Sequence, residues 1–257
     1  MPTMGCFHDG HLALMRDAAE RADTVVTSLF VNPLQFGPDE DFDRYPRTFL
    51  EDREGARANR VHVLFAPDQS LLYPDGFQSA VLVKELTRNL CGRSRTGHFE
   101  GVTTVVAKLF NIVKPTVAVF GQKDFQQLAV IRKMVKDLDW DIEIIGHPIV
   151  RDSDGLALSS RNKYLSAEER QSALSLSTAL KSARDSVRAG LVDSGSIIKK
   201  AVETITSVPF TEIDYVSIVD KKTLLDQDIV TSASVMALAV RVGKTRLIDN
   251  AFLMANS

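Results

Sequence analysis

The feature that most constrains this chain is a set of short, predominantly apolar segments. Residues 24–31, 61–66, 116–121 and 142–145 are rich in β-branched side chains, and turn residues such as Asn32-Pro33 and Pro67 close the first two. A strand with no polar face has to be covered on both sides. Between these segments apolar residues recur at helical spacing. Leu12, Met15, Ala18, Ala19 and Ala22 form one such face, residues 102–113 a second, and Leu128, Ile131, Val135 and Leu138 a third. Strands alternating with helices predict an α/β unit, a parallel sheet with helices on both faces, over residues 1–150.

The pattern changes near residue 151. Ser166 followed by Glu169 reads as a capping box that opens a helix. A second helix is expected over 193–206. Strand-like segments at 213–219, 235–242 and 245–248 then follow one another without a helix between them, which is α+β logic. The expected organisation is a larger domain over 1–150 and a smaller α+β domain over 151–257.

Composition narrows the function classes. The 257 residues carry 31 Lys plus Arg against 33 Asp plus Glu, a net charge of -2, so neither a basic nucleic-acid arm nor an acidic tail is present and no nucleic-acid partner is expected. Cys6 and Cys91 are far apart, which excludes a disulfide scaffold and a cysteine-based zinc site and points to a reducing, cytoplasmic setting. The uncharged stretch 229–240 is too short and too polar to span a bilayer, and residues 1–5 do not read as a signal peptide, so no membrane partner is expected.

Several clusters carry groups capable of chemistry. His8-Asp9-Gly10-His11 lies where a helix begins, a place where outward N–H groups and the helix dipole favour a phosphate. A surface loop with two unrelated histidines is the ordinary alternative, and zinc fits less well because no third ligand is near. Asn32 and Gln35 follow an apolar strand, at the carboxyl end where open α/β sheets bind ligands, although a local Asn-Pro turn explains them equally. Gly121-Gln122-Lys123-Asp124 with Gln127 occupies another strand-to-helix junction. Its spacing is not that of a Walker loop. Leu158-Ser159-Ser160-Arg161-Asn162 combines two hydroxyls and a guanidinium suited to a polyphosphate, or is an exposed approach to a helix. Gly97-His98-Phe99-Glu100-Gly101 is a further glycine-bracketed histidine, while His62, His147 and Trp140 read as structural.

In their order along the chain these segments closely resemble the pantothenate synthetase (pantoate–β-alanine ligase) family. Pro2-Thr3-Met4-Gly5 with His8 to His11, Phe30 to Phe36, Tyr45-Pro46-Arg47-Thr48, Gly97-His98-Phe99, Phe120 to Asp124, Gly155 to Asn162, and Arg246-Leu247-Ile248-Asp249-Asn250 carry the resemblance. It implies a Rossmann-like nucleotidyltransferase domain with a HIGH-type motif, and a reaction that joins pantoate to β-alanine with ATP, through a pantoyl adenylate, releasing AMP and pyrophosphate. It implies an ATP site made by Met4, Gly5, Cys6, Phe7, His8, Asp9, Gly10, His11, Gly121, Gln122, Lys123, Asp124, Val150, Leu158, Ser159, Ser160 and Arg161. Within that set His11, as proton donor, His8 and Lys123 are the catalytic residues the resemblance implies. Gln35 and Gln127 are implied as pantoate ligands, with Asn32 beside them. Mg²⁺ accompanying the nucleotide and a homodimer complete the expectation.

The resemblance also sets up a structural problem. Family members carry a further segment ahead of the Pro-Thr-Met-Gly loop, including the strand that delivers it. That strand is central in the 3-2-1-4-5 order. Here no strand is expected ahead of the loop, so residues 24–31 and 116–120 are expected to stand apart with unpaired backbone between them. Two other readings stay open at this point: a weakly active shortened form serving as a non-catalytic partner, and a related nucleotidyltransferase that transfers its nucleotide to a phosphorylated acceptor.

Overall fold

The apolar segments form the strands and the periodic segments the helices. In chain order the elements are β1 (Pro2–Thr3), α1 (Asp9–Arg21), β2 (Val26–Leu29), α2 (Phe49–Ala58), β3 (Val63–Phe65), α3 (Gln69–Leu72), α4 (Cys91–Ser94), α5 (His98–Val113), β4 (Val117–Gly121), α6 (Phe125–Asp137), β5 (Glu143–His147), α7 (Ala167–Arg188), α8 (Ser194–Thr206), β6 (Thr211–Asp220), β7 (Ser234–Val242) and β8 (Thr245–Phe252). Single 3₁₀ turns cover Pro33–Gln35, Gln122–Asp124 and Ser160–Tyr164. This computed structural model describes residues 1–38 and 40–254; residues 39 and 255–257, the last three within the expected second domain, lie outside the description. Two compact units result. One comprises Met1–Thr87, Arg95–Gln122 and Gln127–Val150; the other comprises Arg88–Ser94, Lys123–Gln126 and the chain from Arg151 onward.

The strands of the first unit are parallel, as the alternation of apolar runs with helices predicts. β2 pairs with β3, Val26 opposite Val63 and Ser28 opposite Phe65. β4 pairs with β5 from Val117 opposite Glu143 to Gly121 opposite His147. The expectation that no strand precedes the loop is corrected: Pro2 and Thr3 lie parallel to Ser28 and Leu29 as a two-residue strand. It forms because backbone partners are in reach. Ser28 N–H donates to the Met1 carbonyl at 3.0 Å, Phe30 N–H to the Thr3 carbonyl at 3.0 Å, and the Met1 α-ammonium to the Val26 carbonyl at 2.8 Å. The expected separation is present, since β1-β2-β3 and β4-β5 are distinct sheets.

Three helices had no sequence signal: α2 and the four-residue α3 and α4. Along α2 only Asp52 and Ala56 are buried, so there is no apolar stripe to reveal it. Its inward face is organised around a carboxylate. The structural histidines behave as expected: the His62 Nδ1 accepts from Val25 N–H at 3.0 Å, and the His147 Nδ1 meets Asp17 at 2.8 Å. Trp140 packs edge-on against Phe110, ring centroids 5.9 Å apart.

In the second unit β6, β7 and β8 form an antiparallel sheet in that order. Its buried residues Ile218, Met236 and Leu238 join Leu176 and Leu180 of α7 and Ile197 and Ile205 of α8 in one core. The capping box is complete: Glu169 N–H donates to Ser166 Oγ at 3.2 Å, and Ser166 N–H to Glu169 Oε2 at 2.9 Å. β8 runs four residues beyond the expected strand because Asp249 to Phe252 continue the pairing with β7.

Candidate active site

The loop between β1 and α1 is held open by a single carboxylate. Asp52, 2% exposed, accepts from Cys6 N–H at 2.9 Å, from Phe7 N–H at 2.7 Å, and from the Thr48 hydroxyl at 3.1 Å. Those bonds fix a tight bend in which Gly5 has φ +87° and Cys6 φ +53°. At Gly5 the positive φ favours glycine, and an added Cβ would sit 3.0 Å from the Asp52 oxygen. The bend delivers His8, in extended conformation, to the cap position of α1.

His8 and His11 then stand side by side, ring centroids 4.1 Å apart, with Phe7 5.6 Å from His11. The His8 N–H donates to His11 Nδ1 at 3.4 Å. A ring that accepts at Nδ1 carries its proton at Nε2 when neutral, so His11 presents an Nε2–H donor. Two imidazoles and the first N–H groups of a 13-residue helix thus share one end, the arrangement that receives an anion.

Asn32 and Gln35 lie in a second part of the same unit. Asn32, 1% exposed, donates to Gln35 Oε1 at 3.2 Å and to the Gly101 carbonyl at 3.0 Å; its Oδ1 accepts from Tyr73 Oη at 2.8 Å and Leu34 N–H at 3.4 Å. This occupies both amide donors and both acceptor positions of Asn32. Gln35 in turn donates to Met4 Sδ at 3.0 Å. Burial raises the Tyr73 pKa to about 12, so this hydroxyl remains a donor at any working pH. His98 braces the turn through Nδ1, 2.8 Å from the Gln35 carbonyl, while its Nε2 faces Arg95 Nη1 at 2.9 Å. A carbonyl only accepts and a guanidinium only donates, so the partners define His98 as neutral with its proton on Nδ1. Arg95 is gripped by both oxygens of Glu40 at 2.6 Å. Burial would raise the Glu40 carboxyl, but the Arg95 hydrogen bonds and charge outweigh it and hold the pKa below the usual range.

In the second unit the C-terminal strand supplies the supports. Asp249, 3% exposed, forms a forked pair with Arg151 at 2.6 and 2.9 Å, and Arg151 Nη1 also donates to the Gly155 carbonyl at 3.1 Å. Asn250 Nδ2 donates to the Lys123 carbonyl at 2.9 Å. The loop ends in the Ser160–Tyr164 turn, where Ser159 Oγ accepts from Arg161 N–H at 3.3 Å and Asn162 donates to the Ala157 carbonyl at 3.1 Å.

The structure therefore brings together Met4, Asn32 and Gln35, and separately His8 and His11. Gly121 ends β4, and Gln122 is turned onto the Gly146 carbonyl at 3.0 Å. Lys123, Asp124, Gln127 and Val150 are half-buried, and the Gln35 amide is turned to Asn32 and Met4 rather than to Gln127. Sequence reasoning missed Asp52, Tyr73, Arg95, Glu40, Asp249 and Asn250 as residues that shape these parts. The first four lie outside any chemical motif. Asp249 and Asn250 sit in a quoted motif, but their partners are distant in sequence.

A parallel α/β unit whose first helix begins at paired histidines, joined in one chain to an antiparallel α+β unit, defines the HIGH-type nucleotidyltransferase class. The family model described as pantoate-beta-alanine ligase matches residues 1–252. Pantothenate synthetase of Heliobacterium modesticaldum is 55% identical over 97% of this chain and 89% of its own length; that of Moorella thermoacetica is 54% identical over 100% and 90%. The crystal structure of pantothenate synthetase from Thermus thermophilus matches with a TM-score of 0.96 at 45% identity, covering 99% of this chain and 92% of that one. The Francisella tularensis pantoate-beta-alanine ligase, crystallised with beta-gamma ATP and beta-alanine, matches at 0.81 and 34% identity, covering 99% and 89%. The chain belongs to the pantoate–β-alanine ligase family, whose reaction is the ATP-driven ligation of pantoate and β-alanine.

The contact between the Asn32–Gln35 turn and α5 gives a sharp test. A Cβ added at Gly101 would overlap the Leu34 carbonyl and lie 2.6 Å from Gln35 N, both of them backbone atoms that cannot swing aside. Gly101→Ala should therefore destabilise the fold by about 1–3 kcal/mol or more. Gly37→Ala, whose added Cβ would meet nothing closer than the Glu40 side chain at 3.7 Å, should stay within about 0.5 kcal/mol. Denaturant unfolding of the two variants makes the comparison, and equal values would mean that the turn and α5 can separate freely.

Proposed function

We propose that the chain performs its family's ligation in two steps, through a pantoyl adenylate. A carboxylate resists nucleophilic attack because attack adds charge to an anion. Adenylation removes that obstacle. A pantoate carboxylate oxygen attacks the α-phosphorus of ATP, forming a C–O–P linkage while the bond to the β-phosphate breaks and pyrophosphate leaves. The β-alanine amine then attacks the acyl carbon, the C–O bond to AMP breaks, an amide forms and the amine releases its proton.

The observation that carries this reading is the pairing of His8 and His11 at the start of α1. His11, with Nδ1 accepting from its own loop, offers Nε2–H to phosphate oxygens whose charge grows as pyrophosphate departs. In this reading the N–H groups and side chains from Met4 to His11, with Gly121, Gln122, Lys123, Asp124, Val150 and Leu158 to Arg161, hold the nucleotide. Lys123 and Arg161 neutralise charge on the departing group. Gln35 and Gln127 hydrogen-bond pantoate. Asn32 acts as a positioning residue, because its bonds to Gln35, Gly101, Leu34 and Tyr73 set the Gln35 amide. Catalysis is then chiefly positioning and charge stabilisation, with no covalent bond to the protein.

The finer expectations rest on the family resemblance alone: residues 1–150 as the ATP- and pantoate-binding domain, a homodimer, a cytoplasmic setting, and Mg²⁺ with the nucleotide. No helix among the described residues is long and apolar enough to cross a membrane. Among the described residues no group of three His, Cys, Asp or Glu side chains is placed to hold a metal. Magnesium accordingly enters this reading as the counter-ion of the phosphates, and no step is assigned to it.

Isotope exchange tests the order of steps. With ATP and pantoate but without β-alanine, labelled pyrophosphate should appear in ATP; a strict requirement for β-alanine would exclude a free-standing adenylation. Side-chain removal tests the charge assignment. His11→Ala and Lys123→Ala should each lower turnover by about 10²–10³-fold, the scale of losing one preorganised donor. The fold should survive, with circular dichroism and melting close to those of the parent chain. Near-normal turnover in either variant would remove that residue from the mechanism.

A further inference from the structure

Two adjacent residues near the end of β8 are polar and buried, and the chemistry above uses neither: Asp249 is 3% exposed and Asn250 4%. A strand that only closed a sheet would be better served by apolar side chains there, because a buried carboxylate or amide costs free energy unless its polar groups are matched. A buried ion pair is in itself weak evidence of stabilisation. The partners of the two residues point to placement instead.

Successive side chains of a strand lie on opposite faces. Asp249 stands opposite Leu238, on the face whose core includes residues of α7 and α8. Its carboxylate takes both Nη atoms of Arg151, and Arg151 Nη1 also holds the Gly155 carbonyl. Gly155 has φ +93°, and Arg151 pairs with Ala157 across it as an isolated antiparallel bridge. Asp249 therefore fixes one side of a tight hairpin from which the chain runs on to Ser159, Ser160 and Arg161. Arg170 of α7 secures the same hairpin by donating to Asp152 at 2.7 Å and to Asp154 at 2.9 Å.

Asn250 stands opposite Ala237 on the other face, which it shares with Phe252 two residues on. There Asn250 Nδ2 donates to the Lys123 carbonyl at 2.9 Å, and Phe125 packs edge-on against Phe252 with ring centroids 6.0 Å apart. Gln126 Nε2 donates to the Asn89 carbonyl at 2.8 Å. The turn that presents Lys123 is thus tied to the C-terminal strand by one hydrogen bond and one ring contact. The two faces are linked as well, since Asp249 Oδ1 accepts from the Asn250 N–H at 2.8 Å and from Arg151 Nη2 at 2.9 Å.

We propose that Asn250 and Asp249 are positioning residues for the adenylation step: Asn250 acts through Lys123, and Asp249 through the loop that carries Arg161. The inference rests on the assignment of Lys123 and Arg161 to the phosphates made above. Each residue works on backbone carbonyls, of Lys123 and, through Arg151, of Gly155, so one strand end sets both cation-bearing segments. A cation stabilises developing charge only where it is placed in advance, and a displacement of about 1 Å can slow a reaction by about 10²-fold.

The test uses the full chain, with pyrophosphate exchange and steady-state ligation as readouts and thermal melts to confirm that each variant is folded at the assay temperature. Asn250→Ala should lower the exchange rate and kcat by about 10–10²-fold and leave the KM for β-alanine within about two-fold. Asn250→Asp keeps the volume but cannot donate to a carbonyl when ionised, so it should be impaired as well; it replaces the alanine variant if that one does not fold. Double-mutant cycles decide the route. Added to Lys123→Ala, Asn250→Ala should slow exchange by no more than about a further two-fold, because the residue it serves is already gone. Asp249→Asn should show the same loss of effect on an Arg161→Ala background; if breaking this buried pair unfolds the chain, the Asn250 cycle decides alone. Near-normal exchange in both Asn250 variants, or a full additional loss on the Lys123→Ala background, overturns the proposal. If Lys123→Ala is slow while Asn250→Ala is normal, only the present inference has failed; if Lys123→Ala is itself near normal, the assignment of the lysine has failed and this inference with it.

Discussion

The geometry of the loop between β1 and α1 depends on one buried carboxylate. Asp52 has no cation beside it in the contacts it makes; it is satisfied by Cys6 N–H, Phe7 N–H and the Thr48 hydroxyl. Backbone donors of this kind stabilise a buried anion and are stabilised by it, and the loop cannot straighten without stranding the charge. The positive φ values of Gly5 and Cys6 are the conformational cost of that bend. What the bend achieves is placement: His8 arrives at the first turn of α1 with its N–H aimed at His11, and the tautomer of His11 is defined before any substrate arrives. A loop set in advance in this way loses little reorganisation energy when charge develops on a bound phosphate.

The neighbouring Asn32 cluster obeys the same rule by a different route. Asn32 is almost completely buried, yet its amide is fully matched by Gln35, Gly101, Leu34 and Tyr73. A half-matched amide there would cost more than an apolar side chain of similar size. The matched one fixes the orientation of Gln35, whose backbone carbonyl His98 also holds. Close approach is part of the design, because only a residue without a Cβ lets α5 reach the Leu34–Gln35 backbone. The polar core here therefore holds the Gln35 amide in one orientation.

The second unit reaches its own ordering through β8. An antiparallel strand extended to Phe252 places Asp249 and Asn250 next to each other in sequence with different tasks. Asp249 anchors Arg151, and with it the Gly155 carbonyl, at the base of the loop that leads to Ser159, Ser160 and Arg161. Asn250 fixes the backbone of Lys123. Two adjacent residues of that strand thus order the loop over 151–161 and the turn at Lys123, which lie far away in the chain.

Periodicity alone determined the architecture. Predominantly apolar, β-branched runs became parallel strands, and α7 had to begin where Ser166 and Glu169 could cap it reciprocally, because these are local consequences of side-chain chemistry. The order of the motifs also made the family legible. The sequence was silent about α2, whose inward face is a carboxylate rather than an apolar stripe. It could not pair Asp52 with Cys6, Tyr73 with Asn32, or Asp249 with Arg151, partners separated by 46, 41 and 98 positions. It also missed β1, since two residues carry no periodic signal and pair only because Ser28 and Phe30 are there to meet them. Local propensity is written in adjacent residues, whereas the satisfaction of a buried polar group depends on which distant backbone the fold brings within about 3 Å, and only the tertiary structure decides that.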